Sequence, residues 1–174
     1  MKKSSNKNSD SHETPALDKT DRALLQALAK NARLTNKELA AKVGLAPSSC
    51  LQRVRRLVNQ KIIRGFSANI DPRAIGIGLQ AMVSLRLERH ARPLYLEFRT
   101  FVAELTEVIA VYHITGREDF LIHVAVRDPE HLQAFVVEKL AARPEVGHLE
   151  TALIFEYQPS ATPPFYPGDP ANKS

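Results

Sequence analysis

Three arginines fall within four residues, Arg53, Arg55 and Arg56, on a stretch that also carries Ser48, Ser49 and Gln52. Guanidinium and amide groups make paired hydrogen bonds to base edges, and guanidiniums and hydroxyls both hold phosphate oxygens. At 3.6 residues per turn, Ser48, Ser49, Gln52, Arg53 and Arg56 share one helical face with Arg55 close by, while Leu51, Val54, Leu57 and Val58 recur at packing spacing. The bland alternative is a solvated charged face. Three arginines directly after a turn favour contact with DNA.

The other residue types that do chemistry are scattered. His113 and His123 fall on stretches expected to pair across a hairpin, and His90, His131 and His148 lie elsewhere, without the H-x-x-x-H or C-x-x-C spacing that brings zinc ligands together. No metal site is expected. Cys50, the single cysteine, projects with Val54 and Leu57 and reads as a small buried hydrophobe, and its solitude excludes an internal disulfide. No nucleophile and base pair, Gly-rich phosphate loop or carboxylate pair stands out, so no catalytic residue is assigned and an enzyme is not expected.

The elements that must position the arginines are written in local signals. Asp18 is a candidate N-cap with Asp21 three residues on, and Ala23, Leu24, Ala27 and Leu28 form the stripe of a helix ending near Asn31. Thr35 and Glu38 make a T-x-x-E capping box for a second helix, which turns Leu39, Ala40 and Val43 inward and ends at Gly44. Pro47 suits the first turn of the third helix, which carries the arginines. Residues 62–70 read as a strand, either half of a winglike hairpin or a bridge onward.

From Leu79 the period changes to two, with Leu79, Ala81, Val83, Leu85 and Leu87 alternating against polar neighbours. A helical stripe at Leu94, Phe98, Phe101, Val102 and Leu105 follows, then strands over 108–115 and 120–126 joined at residues 116–119. A second stripe at Leu132, Phe135, Val136 and Leu140 precedes a strand over 146–157. The order β-α-β-β-α-β is ferredoxin-like. Its helices cover one sheet face, and Met82 and Ile154 on the other call for a second copy of the chain. The predicted class is α+β, a winged helix-turn-helix followed by a ferredoxin-like βαββαβ domain.

Charge divides the chain at the same place. Residues 17–66 carry eleven Lys or Arg against three acids, whereas residues 67–174 carry ten against fourteen, within a chain of 174 residues and net charge +5. The excess sits on the short first domain, which points to a polyanionic partner for that domain alone. Residues 1–16 are polar and aperiodic and are expected to be disordered. Lys2, Lys3 and Lys7 there serve solubility or an auxiliary phosphate contact. The expected organisation is a tail over 1–16, the DNA-binding domain over 17–66, a connector over 67–78, the second domain over 79–157 and a Pro-rich tail over 158–174, in which Phe165 and Tyr166 offer a surface anchor. No apolar stretch of membrane-spanning length and no signal-peptide core is present, so a cytoplasmic protein is expected.

Four segments together resemble the Lrp/AsnC family of transcriptional regulators: LDKTDRALLQAL, ELAAKVGLAPSSCLQRVRRL, IIRGFSANIDPRAIG and VYHITGREDFLIHV. The resemblance covers 17–157. It implies double-stranded DNA as partner, a homodimer through back-to-back sheets, further assembly into octamers, and a small-molecule effector, usually an amino acid. Thr35, Ser48, Ser49, Gln52, Arg53, Arg55 and Arg56 are the DNA-binding set. In the family the effector sits near a G-x-x-D hairpin at contacts between dimers, which here places His113, Thr115, Gly116, Arg117, Glu118, Asp119 and Phe120 at the site, with Thr151 and Leu153 as secondary contributors. Asp119 suits a ligand's ammonium, and backbone near Gly116 or Arg117 its carboxylate. Read alone, residues 116–119 equally make a tight hairpin with Gly at positive φ and Asp bonding its own turn. Ala46 departs from the family's usual hydroxyl cap. Two other functions stay open at this point: an effector-independent protein that wraps DNA, and a tetrapyrrole decarboxylase of the kind that resembles this family.

Overall fold

The computed structural model describes residues 17–88, 92–158, 160 and 164; Lys2, Lys3, Lys7, His90, Phe165 and Tyr166 lie outside the described residues. The chain divides into two compact units, with the boundary between Ala68 and Asn69 and the second unit ending at Gln158.

The first unit is three helices, α1 (Lys19–Lys30), α2 (Asn36–Val43) and α3 (Pro47–Asn59). Both predicted starts are capping boxes: the Asp18 carboxylate accepts from the Asp21 N–H, Asp21 accepts in return, and Thr35 and Glu38 repeat the exchange on α2. Gly44 ends α2 at φ 70, the left-handed conformation that only glycine adopts freely. Asn36 Nδ2 donates to the Pro47 carbonyl at 2.8 Å, tying the start of α2 to the start of α3. Leu24, Leu28, Leu39, Ala40 and Cys50 form the core, with Val54 and Ile63 packed against it and Leu57 fully buried.

Two expectations here are corrected. On α3 the inward residues are Cys50, Val54 and Leu57, at i, i+4 and i+7, while Leu51 and Val58 are 39% and 41% exposed. At about 100° per residue, Leu51 and Val58 both lie to one side of the stripe made by Cys50, Val54 and Leu57, so burying that stripe leaves them at its flank. Residues 62–70 form no strand. The Ile62 and Ile63 N–H groups both donate to the Leu57 carbonyl, at 2.9 and 3.1 Å, closing the end of α3 through Lys61 at φ 56. A strand needs a ladder partner, and none among the described residues of the chain pairs with this segment.

The second unit opens with a 3-10 turn, Pro72–Ile75, closed by Gly76 at φ 83. Gly78 then lies against the Arg127 carbonyl where no Cβ fits. Four antiparallel strands follow, β1 (Leu79–Leu87), β2 (Val108–His113), β3 (Phe120–Val126) and β4 (Val146–Ile154), in the order β2-β3-β1-β4. Helix α4 (Arg92–Ala103) joins β1 to β2; α5 (Pro129–Ala134) runs on as a π-helical turn, Phe135–Ala141, before β4. This is the βαββαβ order read from the periodicity, with β2 and β4 ending two and three residues earlier than expected. Ala81, Val83, Leu85, Phe120, Ile122 and Val124 face the helices and are fully buried with Phe98, Val102 and Leu140. Register places Gln80, Met82, Ser84, Leu121, His123, Ala125 and Ile154 together on the opposite, helix-free face. His123 is nonetheless buried, its Nε2 2.9 Å from Gln80 Oε1 and its ring 5.5 Å from that of Tyr157.

Candidate functional site

The core contacts of α3 determine what its other face presents. With Cys50, Val54 and Leu57 inward, Ser48, Gln52, Arg55 and Asn59 fall on the directly opposite side, and all four are exposed. Ser49 and Arg56 flank this set, also exposed. Arg55 has no ion pair among the described residues. Ala46, in the N-cap position, makes no side-chain cap hydrogen bond, so the first N–H groups of α3 face outward unpaired by a cap. Thr35 lies at the start of α2, exposed, its hydroxyl donating to Glu38 Oε2 at 2.8 Å.

Arg53 is placed differently from its expected neighbours. Its Nη1 donates to Asp18 Oδ2 at 2.5 Å and to Asp21 Oδ1 at 2.9 Å, and Arg56 Nη2 donates to Asp21 Oδ2. These carboxylates raise the Arg53 pKa above its ordinary value, Asp18 contributing most. The Asp18 carboxyl is held below its usual range, first by the Asp21 N–H and then by Arg53. Arg53 thus lies at the inner edge of the face, bound to α1. The sequence carries the D-x-x-D pair openly, but as a helix cap; its second employment comes only from the tertiary contact.

In the second unit, β2 and β3 pair His113 with Phe120, and Ile114 N–H bonds the Asp119 carbonyl at 3.0 Å to close the hairpin. Gly116 takes φ 129, which its neighbours Thr115 and Arg117 could not adopt without strain. The Asp119 carboxylate accepts the Leu87 N–H at 2.8 Å and its own N–H bonds the Leu85 carbonyl, so it fastens the hairpin to the end of β1. Glu118 differs: its side chain is 14% exposed, Oε1 lies 3.8 Å from Arg117 Nε, and Oε2 is buried with no hydrogen-bond partner among the described residues. His113 and Phe120 meet the ring of Tyr95 from α4, at 4.4 and 4.9 Å between centroids. Tyr95 carries no distinguishing signal in the sequence, since a helical aromatic reads as ordinary core. Thr151 and Leu153 lie on β4, at the opposite edge of the sheet from β2, so a single chain does not bring them to the hairpin.

A helix-turn-helix presenting an arginine-bearing face, followed by a βαββαβ domain with its own polar hairpin, defines a DNA-binding transcription regulator with a separate ligand-binding domain. Residues 17–64 match the family model described as winged helix-turn-helix DNA-binding, and residues 80–160 match the Lrp/AsnC ligand binding domain. The chain is 47% identical over 147 residues to the HTH-type transcriptional regulator AldR of Mycolicibacterium smegmatis, spanning 84% of this chain and 86% of that one. It is 34% identical to the leucine-responsive regulatory protein of Escherichia coli, over 80% of this chain and 85% of the relative. Among solved structures it is similar to a Neisseria meningitidis transcriptional regulator in complex with L-Met, with a TM-score of 0.78, 31% identity, and coverage of 85% of this chain and 97% of that one. The chain belongs to the Lrp/AsnC family of transcriptional regulators and is not an enzyme. Among the described residues no helix is long and apolar enough to cross a membrane.

Proposed function

We propose that the chain reads specific DNA sequences through the outer face of α3 and that an α-amino acid, bound at the 114–120 hairpin, modulates this binding in the cytoplasm. The observation that carries the first half is the exposed set Ser48, Ser49, Gln52, Arg55 and Arg56, whose groups match base edges and phosphates. Thr35 lies at the start of the preceding helix and is assigned to a phosphate. Arg53 contributes by holding α3.

The second half is supported by Glu118. A buried carboxylate oxygen without a partner among the described residues is costly alone and suits a ligand's ammonium, which Asp119, fastened to the Leu87 N–H, serves less well. Gly116 and Arg117 supply N–H and cationic donors for the ligand carboxylate. His113 and Thr115, with Tyr95, form the side-chain wall, and Phe120, fully buried, backs it from the core. The L-Met bound to the meningococcal relative supports this ligand class. Thr151 and Leu153 join the site from another copy of the chain, consistent with a homodimer built on the helix-free sheet face and assembled further into octamers.

The test is selection of duplexes from a random pool at physiological salt, with and without the twenty amino acids, followed by titration of single amino acids against the selected site. A palindromic motif whose occupancy changes with one or a few amino acids is the expected result. A motif indifferent to all of them removes the amino-acid effector and leaves DNA wrapping; no selected motif removes sequence-specific reading.

A further inference from the structure

Asp21 is 1% exposed, a buried acid in a unit whose function is to approach a polyanion. Each of its oxygens holds a different arginine of α3: Oδ1 takes Arg53 Nη1 at 2.9 Å and Oδ2 takes Arg56 Nη2 at 2.5 Å. Arg53 Nη1 reaches Asp18 as well, and Asp18 and Asp21 close the capping box of α1, so the clamp stands on a helix end whose backbone is itself fixed. Positions 53 and 56 lie on adjacent turns, and one residue step is about 100° of roll, enough to take both guanidiniums away from one carboxylate. The apolar contacts of Cys50, Val54 and Leu57 choose which face of α3 turns inward, but burial is non-directional and Ala40 and Cys50 are small, so the finer roll is left to polar contacts. Hydrogen bonds to a buried carboxylate are directional and costly to lose.

We infer that Asp21 is a positioning residue for DNA readout: with Asp18 it sets the roll of α3 through Arg53 and Arg56, so that Ser48, Gln52 and Arg55 meet the groove. This rests on the reading of α3 as the DNA-contacting helix. Arg53, held by two carboxylates, serves the clamp. Arg56 is bound through Nη2 and, 45% exposed, presents the remainder of its guanidinium to a phosphate at a fixed angle.

Positioning and bare electrostatics predict opposite signs. Removing a carboxylate near DNA strengthens attraction to any duplex, whereas releasing the roll of α3 weakens binding only to the selected one. The experiment measures the affinity of the full chain for the selected duplex and for a scrambled duplex of equal length, by anisotropy at fixed salt, in the wild type, Asp21→Asn and Asp18→Asn. Far-UV circular dichroism checks folding. Asn caps a helix as well as Asp does, so Asp18→Asn keeps the start of α1 and weakens only the clamp; it decides the matter if Asp21→Asn does not fold. The expected result is a fall of about tenfold in the ratio of the two affinities for Asp21→Asn, the worth of one good base contact, and a smaller fall for Asp18→Asn, with scrambled binding held or tightened. An unchanged ratio in the folded variants overturns the inference while the DNA reading stands. Absence of any preference in the wild type overturns both. A double-mutant cycle adds a second check: the losses from Asp18→Asn and Arg53→Gln should not add, and full additivity would make Arg53 a direct reader and overturn its place in the clamp.

Discussion

Arg53 and Arg55 stand two positions apart, the first bound to the carboxylates of Asp18 and Asp21 and the second exposed, and this is the sharpest distinction at the residue scale. Arg55→Ala should weaken binding to the selected duplex by about 1–3 kcal/mol while leaving the melting temperature unchanged, as titration and thermal unfolding would read. Arg53→Ala should do the converse first, costing about 1–3 kcal/mol of folding stability in urea because a buried carboxylate loses one of its donors. Similar loss of stability in both variants would contradict the division. At the hairpin, Glu118→Gln should abolish an amino-acid response with DNA binding and stability kept, whereas Asp119→Ala leaves the Leu87 N–H without its acceptor and should lower stability by about 1–3 kcal/mol whether or not ligand is present. The residue types were legible in sequence; their partners were not. Nothing in the spacing of 53, 55 and 56 says which of them α1 will claim, because Asp18 and Asp21 lie more than thirty residues away.

At the scale of elements, the starts and stops of α1 and α2 were readable because capping is a short-range exchange between residues three apart. The alternation of β1 was readable for the same reason: one face had to be apolar. The segment 62–70 misled because β-branched and aromatic residues mark a strand only where a ladder partner exists, and its first N–H groups are spent on the Leu57 carbonyl. The bulge between Val108 and Ala110 was equally hidden, being a mismatch of two strands and not a property of either. Ala46→Ser should supply the missing cap on α3 and stabilise the first unit by about 0.5–2 kcal/mol, measured by thermal unfolding. Burial holds the His123 pKa below its ordinary 6.5, so the unfolded chain takes up a proton more readily than the folded one. Stability from this residue is therefore complete above about pH 6.5 and declines as pH falls below it. Melting temperatures of the wild type and His123→Gln should diverge above that value and approach each other below it; parallel curves would show that His123 does not contribute.

At the scale of the whole chain, the uneven charge is the feature the sequence displayed most directly, since it needs only a count along the chain. The sheet face with Met82, Leu121 and Ile154 was legible only in outline, because which residues share it depends on register between strands distant in sequence. If that face joins two copies, Met82→Glu should shift sedimentation from dimer or larger towards monomer at micromolar concentration, with secondary structure intact. A variant that sediments like the wild type would place the interface elsewhere. The roll of α3 carries one more consequence. Its inward set, Cys50, Arg53, Val54 and Leu57, and its outward set, Ser48, Gln52, Arg55 and Asn59, have no member in common. On the proposed reading of α3, an engineer retargeting the protein to a new operator can therefore rewrite the four outward positions within the existing scaffold. A recognition helix transplanted whole into another host, however, must bring counterparts of Asp18 and Asp21 with it.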